Sequence, residues 1–380
     1  MDEVLFWLCS VLFFYPYALY PIALILIGLT RTAPLYKSKN YPSVSIIISA
    51  YNEAEVIDRK LDNALTLNYP ADRYEIIVAS DCSTDGTDAI VQMYASRGVK
   101  LIRQEKRLGK TAGLNRGVEI ANNEIVVFSD ADALFDADAL RNMTSYFGDP
   151  QVGLVSGSTR YYAHRAGRLV YTGSLYTRLE RFLKKLETRV GSCVGADGAI
   201  FGMRKSLYRE LLPDEINDFV LPLTVIRQGY RVVFAEDVYC REAASEETNK
   251  EFRRQIRITN RTLHALSKYS AMFDISRYPL FSFQLISHKL LRFALPFSMI
   301  ALFVLNIHLL EQGIVYAFLF AIQATFYGAA ALGWILESFG RQAGMLSVLF
   351  HFLIMNAALL VGWYRFFTGR RDVTWDPRVA

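Results

Sequence analysis

Residues 124–135 read EIVVFSDADALF: an apolar, β-branched run that closes on two aspartates one residue apart, Asp130 and Asp132. A run of this kind belongs inside a sheet. Two carboxylates so close repel each other and raise each other's pKa unless something positive lies between them. The same spacing also suits a strand-to-helix turn, with Asp130 or Asp132 as the N-cap of a helix over 137–146. The flanking sequence has to decide between a cap and a site.

Upstream, SVSIIIS (43–49) is a second buried-strand pattern, closed by AYNEAE. YEIIVAS (74–80) is a third, ending in the turn-forming DCSTDGT, and VKLIRQ (99–104) is a fourth. Helical periodicity fills the gaps, at about 54–66, 86–97 and 110–121. Strands alternating with helices predict an α/β fold with a mainly parallel sheet, whose ligands sit beyond the carboxyl ends of the strands. SAYNE, SDCSTD and SDAD all stand at those ends. Three polar clusters in one place favour a site over three unrelated turns.

Two common phosphate cradles are excluded. RLGKT (107–111) resembles the tail of a P-loop, but the pattern needs glycine where Gln104 stands, and no G-x-G-x-x-G follows the first strand. What remains is a nucleotide site that holds its diphosphate through a metal. Asp130 and Asp132 supply hard oxygen ligands suited to Mg²⁺ or Mn²⁺, and the cation removes the repulsion between them.

The chain is 52% hydrophobic and 21% charged, and the apolar excess is concentrated in segments. Residues 4–30 are uncharged and long enough to span a bilayer; further apolar stretches lie at about 293–310, 314–336 and 345–364. The first segment lacks the basic flank and cleavage site of a signal peptide. Arg31, Lys37 and Lys39 follow it, whereas Asp2 and Glu3 precede it, so the globular part is expected in the cytosol. The expected organisation is a transmembrane helix in 1–35, a cytosolic domain in 36–275, and an interfacial helix with a membrane bundle and short tail in 276–380. Four scattered cysteines suggest neither a disulfide framework nor a zinc site. A net charge of +5 is met by lipid head groups and calls for no nucleic acid.

In order along the chain, SVSIIISAYNE, VASDCSTDGT, KRLGKTAGLNRG, FSDADALF and INDFVLPLTVIRQGYRVVF resemble the membrane-bound family 2 glycosyltransferases, a group that includes cellulose, chitin and hyaluronan synthases. The resemblance implies a GT-A-type nucleotide-sugar-binding domain and a donor that is a nucleotide-sugar, with UDP as the expected nucleotide. By the family pattern Ala50, Tyr51 and Glu53 line the base and ribose pocket, and Asp81 contacts the uracil or ribose. The usual paired aspartates are missing there, with Ser80 before Asp81 and Cys82 after it. Lys110 would approach the diphosphate or sugar; the bland alternative is a solvated lysine at a helix start.

Asp218 falls where the family places its catalytic base, which takes the proton of the acceptor hydroxyl in an inverting transfer. It also reads as a helix N-cap, with Asp214 as the other candidate base. EFRRQIRITNRT (251–262) occupies the slot of Q-x-x-R-W, with Arg254, Arg257 and Ile258 at the matching positions, so the glutamine and tryptophan are absent. An arginine there would pair with the leaving diphosphate. Alternatively Arg253, Arg254, Arg257 and Arg261 form the basic face of a helix lying on the membrane. Trp375 and Arg378 in WDPR resemble a tail motif that hyaluronan-type synthases hold near the donor, the alternative being a juxtamembrane anchor. Three full spans after the cytosolic domain would leave GRRDVTWDPR outside, against its arginines, so either one segment is re-entrant or the tail breaks the charge rule; a cytosolic tail is expected.

The expected protein is thus a metal-dependent inverting transferase in the cell membrane, multi-pass, extending a polysaccharide or a lipid-linked glycan. A single-addition enzyme acting on a polyprenyl-linked acceptor is the alternative. A transporter or sugar sensor is disfavoured because the apolar segments carry almost no charge of the kind a transport path needs.

Overall fold

The computed structural model describes residues 1–165, 168–171, 175–244, 248–341, 343–371 and 373. Its strands are β1 (Val44–Ala50), β2 (Tyr74–Ser80), β3 (Val99–Arg103), β4 (Ile125–Asp130), β5 (Leu134–Phe135), β6 (Val152–Arg165), β7 (Arg168–Tyr171), β8 (Ile200–Arg204) and β9 (Arg231–Ala243). Among the described residues they form one sheet in the order β3-β2-β1-β4-β8-β6-β9-β5, with β7 paired to β6. β1 pairs in parallel with β2 and β4, and β2 with β3, as the strand–helix alternation predicts. Beyond β4 the sheet is mixed: β8 runs antiparallel to β4 and β6, while β6 and β9 are parallel. Every residue of β1 is buried, which is why it reads as a continuous apolar run rather than an alternating one. The result is a GT-A-like α/β domain.

The chain groups into two compact units. One comprises residues 24–246, 264–284 and 372–380 and contains the sheet; the other comprises 1–23, 247–263 and 285–371. In the sheet unit, helices Ile57–Leu65 and Ala139–Ser145 cover a core that includes Ile46, Ile48, Val127, Met143, Val155 and Val233. The expected helix over 137–146 begins only at Ala139, behind Asp138. Neither Asp130 nor Asp132 is its cap, because Asp138 holds that position and five residues separate it from Asp132.

Among the described residues, three helices are long and apolar enough to cross a membrane: Asp2–Thr30, Ile314–Ser338 and Met345–Phe367. The segment expected at 293–310 forms the shorter Leu295–His308, bent by 55° from Pro279–Phe293, and would add a fourth span only if that pair counts as one. Pro296 stands in its first turn, where the ring is tolerated but the preceding helix cannot run through. Phe6, Cys9, Leu302, Leu305, Leu309 and Tyr316 form an apolar cluster in this unit. Trp7, Leu8, Phe318, Ile322, Trp334 and Val348 remain exposed on the same helices. Outward apolar side chains on hydrogen-bonded helices suit hydrocarbon better than water.

Candidate active site

The opening puzzle resolves at the end of β4. Ala131 and Ala133 are buried while Asp130 and Asp132 are half-buried, so the strand alternation carries past the last ladder bond and turns both carboxylates to the same open side. Lys110, at the start of helix Lys110–Ile120, makes an ion pair with Asp130. It thus meets a carboxylate of the site rather than standing solvated at a helix start.

A third carboxylate, Glu242, completes the group. Its oxygens and those of Asp130 and Asp132 lie within 4.8 Å of one another. Short β5 brings it there by pairing antiparallel with the end of β9, Leu134 opposite Arg241 and Phe135 opposite Cys240. Glu242 is 3% exposed. Three anionic oxygen donors at this spacing fit a hard divalent cation such as Mg²⁺ or Mn²⁺. Nothing in YCREAA distinguishes Glu242 from an ordinary strand residue; only the pairing of β5 with β9 does.

At the carboxyl ends of β1 and β2 the two loops interlock. Asn52 N–H donates to Ser83 Oγ at 3.1 Å, Thr84 N–H to Asn52 Oδ1 at 2.8 Å, and Glu53 N–H to Thr87 Oγ1 at 2.8 Å. Asn52 and Cys82 hold left-handed backbone, φ +52° and +61°, which side chains seldom adopt outside functional turns. Ala50 is buried, and its carbonyl accepts from Asp81 N–H at 2.9 Å, so it contributes backbone alone. The Arg107 guanidinium lies 4.0 Å from the centre of the Tyr51 ring.

Asp81 is 1% exposed. Its Oδ1 accepts from Gln104 Nε2 at 3.0 Å and Leu108 N–H at 2.8 Å, and its Oδ2 from Gly109 N–H at 3.0 Å. Burial pushes its pKa up, and the Leu108 and Gly109 N–H groups and the Arg107 charge offset only part of that rise. In this state the carboxylate shapes the 104–109 loop, and it would reach a base only by exchanging those donors.

Asp218 stands in the first turn of helix Asn217–Arg227, but the N-cap is Ile216, so capping is not its role. Its half-buried carboxylate faces the 196–198 turn, where a Cβ on Gly198 would come 2.7 Å from Oδ2. The Asp218 carbonyl accepts from Ala196 N–H at 2.7 Å. Asp197 is locked in the same turn, accepting from Thr159 N–H at 2.8 Å and Thr159 Oγ1 at 2.7 Å. Lys184 is buried beside this group. Burial pulls its ammonium down, but Glu180, Asp197, Cys193 and Asp218 together leave its pKa above the usual range. Asp197 and Lys184 carried no signal in the sequence, since both match ordinary turn and helix-surface patterns. Asp214 lies in the loop before the helix, half-buried.

Arg254 and Arg257 lie on helix Thr248–Lys268, in the stretch that groups with the apolar helices. Arg254 bonds to Glu251 at 3.1 Å. Of the four arginines of the alternative basic face, Arg253 is exposed and Arg254 and Arg257 are half-buried, while Arg261 is buried with Ile256, Thr259 and Asn260, whose Nδ2 donates to the Arg370 carbonyl at 2.8 Å. Close helix packing at Gly362, where a Cβ would come 2.6 Å from Thr259, explains this burial. Trp375 and Arg378 lie outside the described residues.

The mixed sheet, the acidic end of β4 and the interlocked loops beside it define a glycosyltransferase domain of the GT-A class. Residues 45–212 match Glycosyl transferase family 2. The chain is 25% identical over 246 residues to the poly-beta-1,6-N-acetyl-D-glucosamine synthase of Staphylococcus aureus, covering 63% of this chain and 59% of that protein. It is 34% identical over 117 residues to beta-monoglucosyldiacylglycerol synthase of Synechocystis, covering 30% of this chain and 24% of that protein. The chain therefore spans between a quarter and three-fifths of these relatives. A mannosyltransferase structure from Pyrobaculum calidifontis, in complex with GDP-Man and Mn²⁺, shares the fold with a TM-score of 0.77 and 23% identity, covering 98% of this chain and all of that one.

Proposed function

We propose that the protein is an inverting, metal-dependent transferase that moves a hexosyl unit from a nucleotide-sugar, with UDP as the nucleotide, to a polysaccharide or lipid-linked glycan at the membrane. The observation that carries this reading is the meeting of Asp130, Asp132 and Glu242 at the end of β4, inside a family 2 domain. Of the relatives, one is named for making a polysaccharide and one for making a glycolipid, which supports an acceptor of either kind.

In the proposed reaction the Asp218 carboxylate accepts the proton of the acceptor hydroxyl as that oxygen attacks the anomeric carbon. The bond from that carbon to the diphosphate oxygen breaks on the opposite face, and the nucleoside diphosphate leaves with the electron pair. Lys110 exchanges Asp130 for the diphosphate and meets the growing negative charge. Tyr51, with Arg107 against its ring, is proposed to flank the base, and Asp81 holds the loop between them and Lys110. Asp130, Asp132 and Glu242 would hold Mg²⁺ or Mn²⁺, which when bound neutralises diphosphate charge. Arg254 and Arg257 are proposed to serve the diphosphate or acceptor, and Trp375 and Arg378 the donor side.

The catalytic domain is proposed to face the cytosol of a multi-pass membrane protein. Support for a tail on the same side comes from Val373, whose carbonyl oxygen would lie 3.0 Å from a Cβ on Gly109 in the nucleotide loop.

The test is nucleotide release by the purified full chain from a panel of UDP-, GDP- and dTDP-sugars, with a glycan or glycolipid acceptor. Release is expected to be strongest with a UDP-sugar, to vanish in EDTA and to return with Mn²⁺ or Mg²⁺. Full turnover in chelator would overturn the metal assignment, and no release from any donor would overturn the enzyme reading.

A further inference from the structure

Helix Ile57–Leu65 carries a lysine on its inner face. Lys60 is fully buried. Its ammonium donates to Ser129 Oγ at 2.7 Å and to the Ala133 carbonyl, and lies 3.9 Å from the centre of the Phe135 ring. One helical turn on, Asn63 grips the same segment from the same side. Its amide donates to the Phe135 carbonyl at 2.9 Å, and its Oδ1 accepts from Phe135 N–H at 2.8 Å. The two side chains therefore hold the side chain just before Asp130, the backbone just after Asp132, and the backbone two residues further on.

Holding a loop does not require a charge. Removing an ammonium from water leaves an effective penalty of several kcal/mol, and an apolar side chain of similar volume often serves a buried position as well or better. Burial lowers the Lys60 pKa to about 8, opposed by Cys240, Asp130 and Asp132. Ser129 Oγ, the Ala133 carbonyl and the Phe135 ring meet the ammonium directly, and the charges of Asp130 and Asp132 favour it as well, while Lys110 pairs with Asp130. A buried cation fixed to both flanks of the carboxylate pair adds positive charge from the core, beside the Lys110 ion pair with Asp130.

We propose that Lys60 is a positioning residue of the metal site: a built-in cation that clamps the 129–133 loop and offsets the repulsion of Asp130 and Asp132, keeping them ligand-ready before metal binds. The proposal rests on the metal reading of Asp130, Asp132 and Glu242. It extends that site into the core, to a residue that touches neither substrate nor metal.

The experiment is a Mn²⁺ titration of the full chain with UDP present, following the free-ion EPR signal, for the unaltered protein, Lys60→Met, Ser129→Ala and the double variant. Loss of a group that orients metal ligands typically weakens metal affinity about 10–100-fold, and Lys60→Met is expected in that range. Its deficit in sugar transfer should shrink as Mn²⁺ is raised. Ser129→Ala removes one bond to the ammonium and should weaken Mn²⁺ binding about two- to tenfold. The double variant should fall short of the product of the two effects. Unchanged Mn²⁺ affinity in Lys60→Met, with any loss of stability or activity, would reduce Lys60 to a structural residue and overturn the proposal. If Lys60→Met gives no cooperative unfolding transition, Ser129→Ala decides alone, and unchanged affinity there overturns it. Absence of Mn²⁺ binding by the unaltered chain would overturn the metal reading itself, a result distinct from these.

Discussion

The two halves of the sheet position their functional groups by different means. In the half built from β1 to β4, each polar cluster stands at the carboxyl end of its own strand, and parallel register alone lines them up. Val44 lies opposite both Tyr74 and Ile125, so Ala50, Ser80 and Asp130 finish nearly level. In the half built from β6 to β9, groups meet through contacts between distant segments. Glu242 reaches Asp130 and Asp132 because β5 pairs with β9, and Asp218 meets the 196–198 turn because Gly198 leaves it room. The first half presents the proposed binding surface from local pattern; the second adds the groups proposed for the chemistry. Damage to each should therefore read out differently.

The largest effect is expected in the second half. Asp218→Asn keeps the size of the side chain and disturbs no cap, because Ile216 holds that position. The amide cannot take the proton, and general-base catalysis contributes about 10²–10⁴-fold. Transfer should fall by that order while nucleotide-sugar affinity, measured by calorimetry, stays close to that of the unaltered protein. Retention of more than about a tenth of the transfer rate, less than the lower end of that range, would break the comparison and move the base to Asp214 or another carboxylate.

A smaller and opposite pattern is expected in the first half. Asp81→Ala leaves the Leu108 and Gly109 N–H groups and Gln104 without their shared acceptor. Unsatisfied buried donors cost about 1–3 kcal/mol, so the 104–109 loop should loosen. Affinity for free UDP should drop about tenfold, in keeping with the lower part of that range, with transfer at saturating donor much less affected. Unchanged UDP affinity, measured by calorimetry, would move the base pocket away from this loop.

The smallest effect tests the strain at the end of β2. Cys82 sits at φ +61°, a conformation that costs a side chain roughly 1–2 kcal/mol. Glycine removes that cost but loses about 0.5–1 kcal/mol more chain entropy on folding. Cys82→Gly should therefore raise the thermal midpoint slightly and leave UDP affinity unchanged. A clear loss of stability would mean that the weak contact of Cys82 Sγ with the Glu105 carbonyl, at 3.7 Å, matters more than the backbone.

Sequence reading succeeded where function follows local pattern. β1 to β4 were legible within a residue or two, because a fully buried strand needs an unbroken apolar run and its polar ending marks where the sheet stops. It left two explanations open where they share one pattern. Asp130 and Asp132 suited a cap as well as a ligand pair until the helix was seen to begin at Ala139. The arginines of 253–261 suited a membrane-surface helix as well as a diphosphate site, and in the structure Arg253 is exposed while Arg261 is buried.

By itself the sequence determined the α/β order, the acidic strand end and the apolar segments long enough for a bilayer, because each depends on residues adjacent in the chain. Only the tertiary structure decided that Glu242 joins Asp130 and Asp132, that Asp218 faces Gly198, and that Lys60, which reads as one more charge on an amphipathic helix, lies in the core beneath the aspartates. The physical reason is range. Hydrophobic periodicity acts over a few residues and is written in each element, whereas the meeting of charges 70 to 110 positions apart depends on strand pairing and helix packing that no single segment encodes.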